Sequence, residues 1–236
     1  MTILDTKTVV NFERRPAAVA GAIWLLSGVL YLCVEAITAA SFPGYSFATN
    51  YISDLGVPDV GSFQGRAIDS PLHALMNAAF ISQGILFLVA AIIAARAAAA
   101  GPRRSFVIFA GLHAVGIVLV GSFPGSQASV ENGLAVFHFT GALLAIIGGN
   151  AAAILAGIAL RRSRARRGYV IASVVIGILG LLSLLMLVIA TVLPGEFFLP
   201  DGIWERGAVD SIMVWEIVTG FLLLATLRGR PRNVLS

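Results

Sequence analysis

The chain has 236 residues, of which 58% are hydrophobic and only 12% charged, and its mean hydropathy is +0.92; soluble domains carry roughly 25% charge. That excludes an ordinary water-soluble enzyme and places the chain in a membrane. The net charge of +4 and pI near 9.8 do not point to nucleic acid, because the basic residues are segregated along the chain.

About 20 apolar residues in a row cross a bilayer as a helix. Six stretches reach that length: 17–40, 69–95, 105–123, 134–160, 169–193 and 205–227. Arg14-Arg15 before the first of them resembles an export signal, but the 24-residue run that follows is too long for a signal core, so a retained first helix is expected. This span holds the lone Cys33, which rules out a disulfide framework, and Glu35 near its far end. "SFPG" closes it at 41–44, and a loop of about 28 residues follows with "NYISDLGVPD" at 50–59. Long ordered loops tend to be functional, which marks Asn50, Ser53 and Asp54 as candidates. The plain structural reading of this string is an interfacial turn in which Ser53 or Asp54 caps a helical start.

The second span opens with Asp69-Ser70-Pro71-Leu72-His73 and runs on to Asn77. The spacing of 69, 73 and 77 puts them on one helix face, and Asp69-Ser70 before Pro71 also fits an ordinary helix N-terminus. His113 stands alone in the apolar third span and is expected to be a hydrogen-bonded core histidine. "SFPG" recurs at 122–125, and His138 lies about four residues into the fourth span. Gly141, Gly148 and Gly149 there, and Ser173, Gly177 and Gly180 in the fifth span, are expected to be helix-packing positions. "VLPG" at 192–195 closes the fifth span. Before the sixth, Trp204 suits an interface anchor, Glu205-Arg206 reads as a self-compensating pair, and Glu205 and Glu216 share a face.

Proline forbids helix at the residue before it, and glycine turns the chain out of one, so the three Pro-Gly strings read as stop signals at one end of the bundle. The opposite end is marked by charge: all Lys and Arg except Arg66 and Arg206 fall before span 1, between spans 2 and 3, between 4 and 5, or after 6. By the positive-inside rule that end is cytoplasmic, and of the 12 acids only Asp5 and Glu13 lie on it. The expected fold is all-α: a polytopic, single-domain six-helix bundle over 1–236 with both termini cytoplasmic, in a bacterial plasma membrane.

This topology brings polar groups from several helices into one outer layer, and ionisable residues within a membrane are costly and mark sites. The ligand-binding candidates are Glu35, Asn50, Ser53, Asp54, Asp69, His73, His138, Glu205, Arg206 and Glu216. A polar pocket over apolar walls suits a lipid headgroup or small amphiphile, with Arg206 for an anionic group. A metal-dependent hydrolase or transferase would use His73 and His138 with Asp69 or another carboxylate, although no HExxH or similar compact pattern supports it. Ser70 with Asp69 and a histidine is a nucleophile arrangement on paper. A structural or regulatory subunit would use the layer simply to tie its helices together, and Glu35 and Glu216 are the positions for coupled transport. No Walker or dinucleotide motif appears, and no cofactor is predicted beyond the metal of that hydrolase or transferase alternative. The expected partners are membrane lipids, a membrane protein or a second copy, with no nucleic acid.

"FPGYS" and "NYISDLG" after the first span, "GSFPG" before His138, and "GIWERGA" at the sixth span resemble the uncharacterised six-helix membrane proteins grouped as domain of unknown function 998. The resemblance runs from about 20 to 227. The Ile-Ser-Asp stretch is also similar to one in the Frag1/DRAM/Sfk1-like membrane proteins. The first resemblance implies a six-helix bundle and draws attention to Asn50, Ser53, Asp54, His138, Glu205 and Arg206; it implies no reaction. Gly125-Ser126 stands where that family often has an acid after the second Phe-Pro.

Overall fold

A computed structural model describes residues 14–98, 103–160, 167–192 and 198–228. Six long helices follow one another: α1 (Arg14–Ser41), α2 (His73–Ala97), α3 (Arg103–Ser122), α5 (Ala135–Leu160), α6 (Arg167–Val192) and α7 (Asp201–Arg228), with the short α4 (Gln127–Glu131) between α3 and α5. All six are long and apolar enough to cross a membrane, so the chain is a multi-pass membrane protein. Each long helix packs on the next, and α7 returns to α1, closing a ring.

The ring is drawn tight by small residues, as expected where helices pack without hydrophobic drive from lipid. A Cβ on Gly116 of α3 would lie 2.3 Å from the Ala145 nitrogen of α5, and one on Gly148 would lie 2.5 Å from the His113 nitrogen. On α6 the buried residues are Ser173, Gly177 and Gly180; this helix touches the bundle through that narrow stripe, its apolar remainder facing outward. The core of the ring is aromatic: Trp24 meets Trp215 edge-on at 5.3 Å and Phe87 and Phe106 at 6.4 Å each.

Two boundaries differ from the sequence expectation. The second span begins at His73, not 69, because residues before it are held elsewhere: Arg66–Ile68 form strand β2 of a hairpin with β1 (Gly61–Phe63), and the Ser70 hydroxyl donates to Leu55 O at 2.6 Å. Asp69 therefore does not share a helix face with His73 and Asn77. The last span begins at Asp201, just after Pro200, with Asp201 in its first turn, where an acid complements the helix dipole. Among the Pro-Gly strings, Gly44 takes the left-handed conformation expected of a stop signal (φ +72°). Gly125 serves another purpose: a Cβ there would sit 2.9 Å from two atoms of the His138 ring, so glycine is required for close approach. The third string, Leu193-Pro194-Gly195, and most of the arginine loop from Arg161 lie outside the described residues.

A paired substitution tests the tight ring. Gly116→Ala should lower thermal stability in detergent by about 1–3 kcal/mol through overpacking. Gly111→Ala, where a Cβ meets nothing within 4 Å, should be neutral or stabilising by up to about 1 kcal/mol.

Candidate functional site

The site is built on the loop between α1 and α2. Asn50 and Asp54 fold it on itself: Ser46 N–H donates to Asn50 Oδ1 (3.1 Å), while Asn50 Nδ2 (3.2 Å) and Tyr51 N–H (3.0 Å) both donate to Asp54 Oδ2. Asp54 is 1% exposed, and a carboxylate so buried needs a cation. Arg66 supplies it with a two-point grip, Nε to Oδ2 at 2.8 Å and Nη2 to Oδ1 at 3.1 Å, its guanidinium lying 3.8 Å from the centre of the Tyr51 ring. The hairpin makes this reach feasible by reversing at Gln64 and Gly65, both with positive φ (48° and 79°), the pattern of a tight two-residue turn matched to strand twist. Burial lowers the Arg66 pKa, but the hydrogen bonds and charge of Asp54 outweigh it and the net shift is upward.

A 3-10 turn, Ser53–Gly56, then carries the loop over the top of the bundle. Ser70 holds Leu55 O, and Asn77 Nδ2 donates to Gly56 O at 2.8 Å. Ile52 and Leu55 are buried beneath it.

The loop is fastened to the bundle by two consecutive residues of α7. Glu205 accepts a hydrogen bond from the Ile52 N–H at the start of the 3-10 turn. Arg206 donates to Phe47 O and Asn50 O, both at 2.8 Å, and to Gly202 O at 3.2 Å. It also donates to the Tyr45 hydroxyl, which in turn donates to Tyr51 O at 3.0 Å, and its Nε forms an ion pair with Glu35 of α1 at 3.4 Å. Burial pushes the phenols of Tyr45 and Tyr51 above their ordinary range, so both remain hydrogen-bond donors at any working pH. Glu205 and Arg206 are thus not a self-compensating pair: successive helix residues point about 100° apart, and each takes a different partner.

Beneath the 3-10 turn lies a cavity of about 50 Å³, lined on its polar side by Tyr31, Ser53, His113, His138 and Glu205 and walled by apolar side chains such as Phe80 and Ile212. It has room for about three waters. His138 is 5% exposed and is oriented by the contact of its Nδ1 with Phe123 O at 2.9 Å. The Tyr31 hydroxyl is buried with no hydrogen-bond partner among the described residues.

Glu35, Asn50, Ser53, Asp54, His138, Glu205 and Arg206 therefore come together around the loop and its cavity. Asp69 and His73 do not join them: both are half-buried beside the hairpin, and His73 Nδ1 contacts Ser70 O at 3.0 Å. Among the described residues no three His, Cys, Asp or Glu side chains are placed to hold a metal ion, so the His73, His138 and Asp69 set does not assemble. Ser70 spends its hydroxyl on Leu55 O. Glu216 is three turns deeper along α7, where Gln83 Nε2 donates to it at 3.2 Å. Sequence reasoning missed Arg66, Tyr31, Tyr45 and Asp210, whose Oδ1 is buried one turn below Arg206 without a hydrogen-bond partner among the described residues. Arg66 had a signal: it and Arg206 are the two basic residues at the end of the bundle where the others are absent.

A family profile described as "Protein of unknown function (DUF998)" matches residues 25–222, and the chain belongs to that family. No curated protein and no solved structure matches it. The weaker likeness to the Frag1/DRAM/Sfk1-like proteins rests on the Ile-Ser-Asp stretch alone, and the family match adds nothing to it.

Arg206→Gln should destabilise the protein by about 3–5 kcal/mol, since it strips a buried carboxylate of its cation. Arg206→Lys should recover a minority of that loss, because an ammonium is a point charge and lacks the planar fork. Unfolding in micelles of these variants, and of Glu35→Gln with Arg206→Gln, should show the double change costing less than the sum of the single ones.

Proposed function

We propose that this membrane protein binds a lipid headgroup or small amphiphile at the loop end of the bundle, beneath the Ser53–Gly56 turn, and that this end faces away from the cytoplasm. The orientation is supported by the concentration of Lys and Arg at the opposite end and on both termini. On this reading the protein sits in a bacterial plasma membrane, with membrane lipids as its partners.

The observation that carries the reading is the cavity itself, where Ser53, His138, Glu205 and Tyr31 converge above apolar walls, the mixture characteristic of ligand sites. Its size sets the mechanism. About 50 Å³ holds waters but no headgroup, so a ligand enters as the Asn50–Val57 segment lifts from α7. Lifting exposes the Ile52 N–H and the guanidinium of Arg206, now occupied by Glu205 and by backbone carbonyls. An anionic oxygen would satisfy both donors, and the acyl portion would follow the apolar wall.

One observation favours a catalytic variant of the same site. Ser53, His138 and Glu205 line one cavity, the residue types of nucleophile, base and orienting acid in acyl transfer. This variant needs no metal and uses the ligand that the binding reading already places there.

Native mass spectrometry from nanodiscs of phosphatidylglycerol or phosphatidylcholine should show retained lipid, with the anionic one preferred and the melting temperature higher in it than in detergent. Ala142→Phe, which fills the cavity from α5, should abolish retention while the protein stays folded. Absence of lipid in wild type, with equal stability in lipid and detergent, would remove the binding reading. Labelling of Ser53 by a fluorophosphonate, lost in His138→Ala, would establish the catalytic variant, and a wholly unreactive Ser53 would exclude it.

A further inference from the structure

We infer that Glu216, Gln83 and His113 form a proton-binding site at the middle of the bundle, holding one proton between the acid and the imidazole. The inference stands apart from lipid binding and shares with it only the cavity.

The three residues come from three helices and are all fully buried: Glu216 of α7 is 0% exposed, His113 of α3 1% and Gln83 of α2 2%. Glu216 sits halfway along α7, about 16 Å below Glu205. His113 Nδ1 lies 2.8 Å from Ala145 O, its Nε2 lies 3.0 Å from Gln83 Oε1, and Gln83 Nε2 lies 3.2 Å from Glu216 Oε2. Glu216 Oε1 is buried with no hydrogen-bond partner among the described residues. The imidazole cannot drift from this line: the Phe87 ring is 4.5 Å away centre to centre, and the absent Cβ of Gly149 would be 2.9 Å from His113 Nδ1.

Counting donors gives the proton number. As drawn, both ring nitrogens face acceptor oxygens, yet a neutral imidazole has one N–H. The line is satisfied in two ways. In one, His113 is an imidazolium that donates to Ala145 O and Gln83 Oε1, and Gln83 donates to a Glu216 carboxylate. In the other the Gln83 amide is turned over, an assignment that a carboxamide's shape does not distinguish: His113 donates from Nδ1 to Ala145 O, Gln83 Nε2 donates to His113 Nε2, and a protonated Glu216 donates to Gln83 Oε1. Both forms carry one shared proton and no net charge. With no proton, one contact becomes acceptor against acceptor and an uncompensated carboxylate is left in the dry interior. With two, a lone imidazolium remains there. Separating two charges in such a medium is costly, which favours the turned-over, uncharged form as the resting state. The two forms differ in which end of the bridge holds the proton and in the orientation of a single amide.

Among the described residues, the other acids and histidines lie nearer the loop end. From α1, Trp24 Nε1, Ser27 Oγ and Tyr31 O–H are buried without hydrogen-bond partners among the described residues. From α6, Ser173 accepts from Trp215 Nε1 at 3.1 Å, and Tyr169 O–H is 3.2 Å from Thr219 Oγ1. His138 of α5 and Glu205 and Asp210 of α7 lie toward the loop end, and the arginine ion pairs seen among the described residues, Arg66–Asp54 and Arg206–Glu35, are there too. His113 itself lines the cavity, so exchange of the proton runs to that end.

The protein in nanodiscs near neutral pH supplies the count directly. Infrared spectroscopy reads a carboxylic-acid C=O stretch assigned to Glu216 by its complete loss in Glu216→Gln and its retention in Glu205→Gln, and histidine 15N resonances, assigned with His113→Asn, read the imidazole. One proton in total, as acid with neutral ring or as carboxylate with imidazolium, upholds the site; none or two overturns it. If Glu216→Gln does not fold, Gln83→Leu serves instead: removing the bridge should shift the wild-type acid band or His113 resonance, and spectra identical to wild type would overturn the coupling.

Discussion

The structure of the loop end depends on two neighbouring side chains of α7 gripping one loop from different directions. Glu205 holds the N–H that begins the 3-10 turn, and Arg206 holds the carbonyls of Phe47 and Asn50 together with Glu35 of α1. Everything above the cavity follows from this pair. The turn stays over the bundle, Ile52 and Leu55 stay buried beneath it, and Asp54 is placed where the hairpin can present Arg66. Because α7 is the last helix and α1 the first, the same contacts also close the ring.

Polar fastening of this kind suits the solvent. Between helices in lipid, apolar burial supplies little net drive, and close packing with hydrogen bonds carries association. The glycine contacts between α3 and α5 provide the packing, and the loop end provides the hydrogen bonds. Arg66 and Arg206, the two basic residues set apart from the clusters that hold the other Lys and Arg of the sequence, are each committed to a buried acid. The interior differs in kind: at Glu216 no arginine is present among the described ion pairs, and an amide and an imidazole take the place of a counter-ion. One chain therefore holds buried acids in different ways, with fixed cations for Asp54 and Glu35 near the rim and a shared proton for Glu216 at depth.

Much of this was legible in the sequence. Apolar runs gave six spans to within a few residues, and depth along them brought Glu35, Asn50, Ser53, Asp54, His138, Glu205 and Arg206 into one layer. His113 was read as a hydrogen-bonded core residue, and it is one. The failures have local causes. Asp69 looked helical because Pro71 fits a first turn, but the Ser70 hydroxyl is drawn to Leu55, 15 residues away in sequence, a tertiary contact with no local signature. The hairpin strands are three residues each, too short for alternation to register. Glu205-Arg206 looked self-neutralising because adjacency in sequence was read as adjacency in space, whereas a helix turns the two apart. Gly125 was read through backbone freedom although its role is to admit the His138 ring.

Amide hydrogen exchange across residues 46–57 in lipid nanodiscs tests the central grip most directly. If Glu205 and Arg206 fasten the loop, the Tyr51 and Ile52 amides of wild type are protected like helix interiors. Glu205→Ala then releases protection throughout that segment while α2 and α3 exchange unchanged. A loop that already exchanges in wild type at the rate of a free coil, or one whose protection survives Glu205→Ala, would contradict the account.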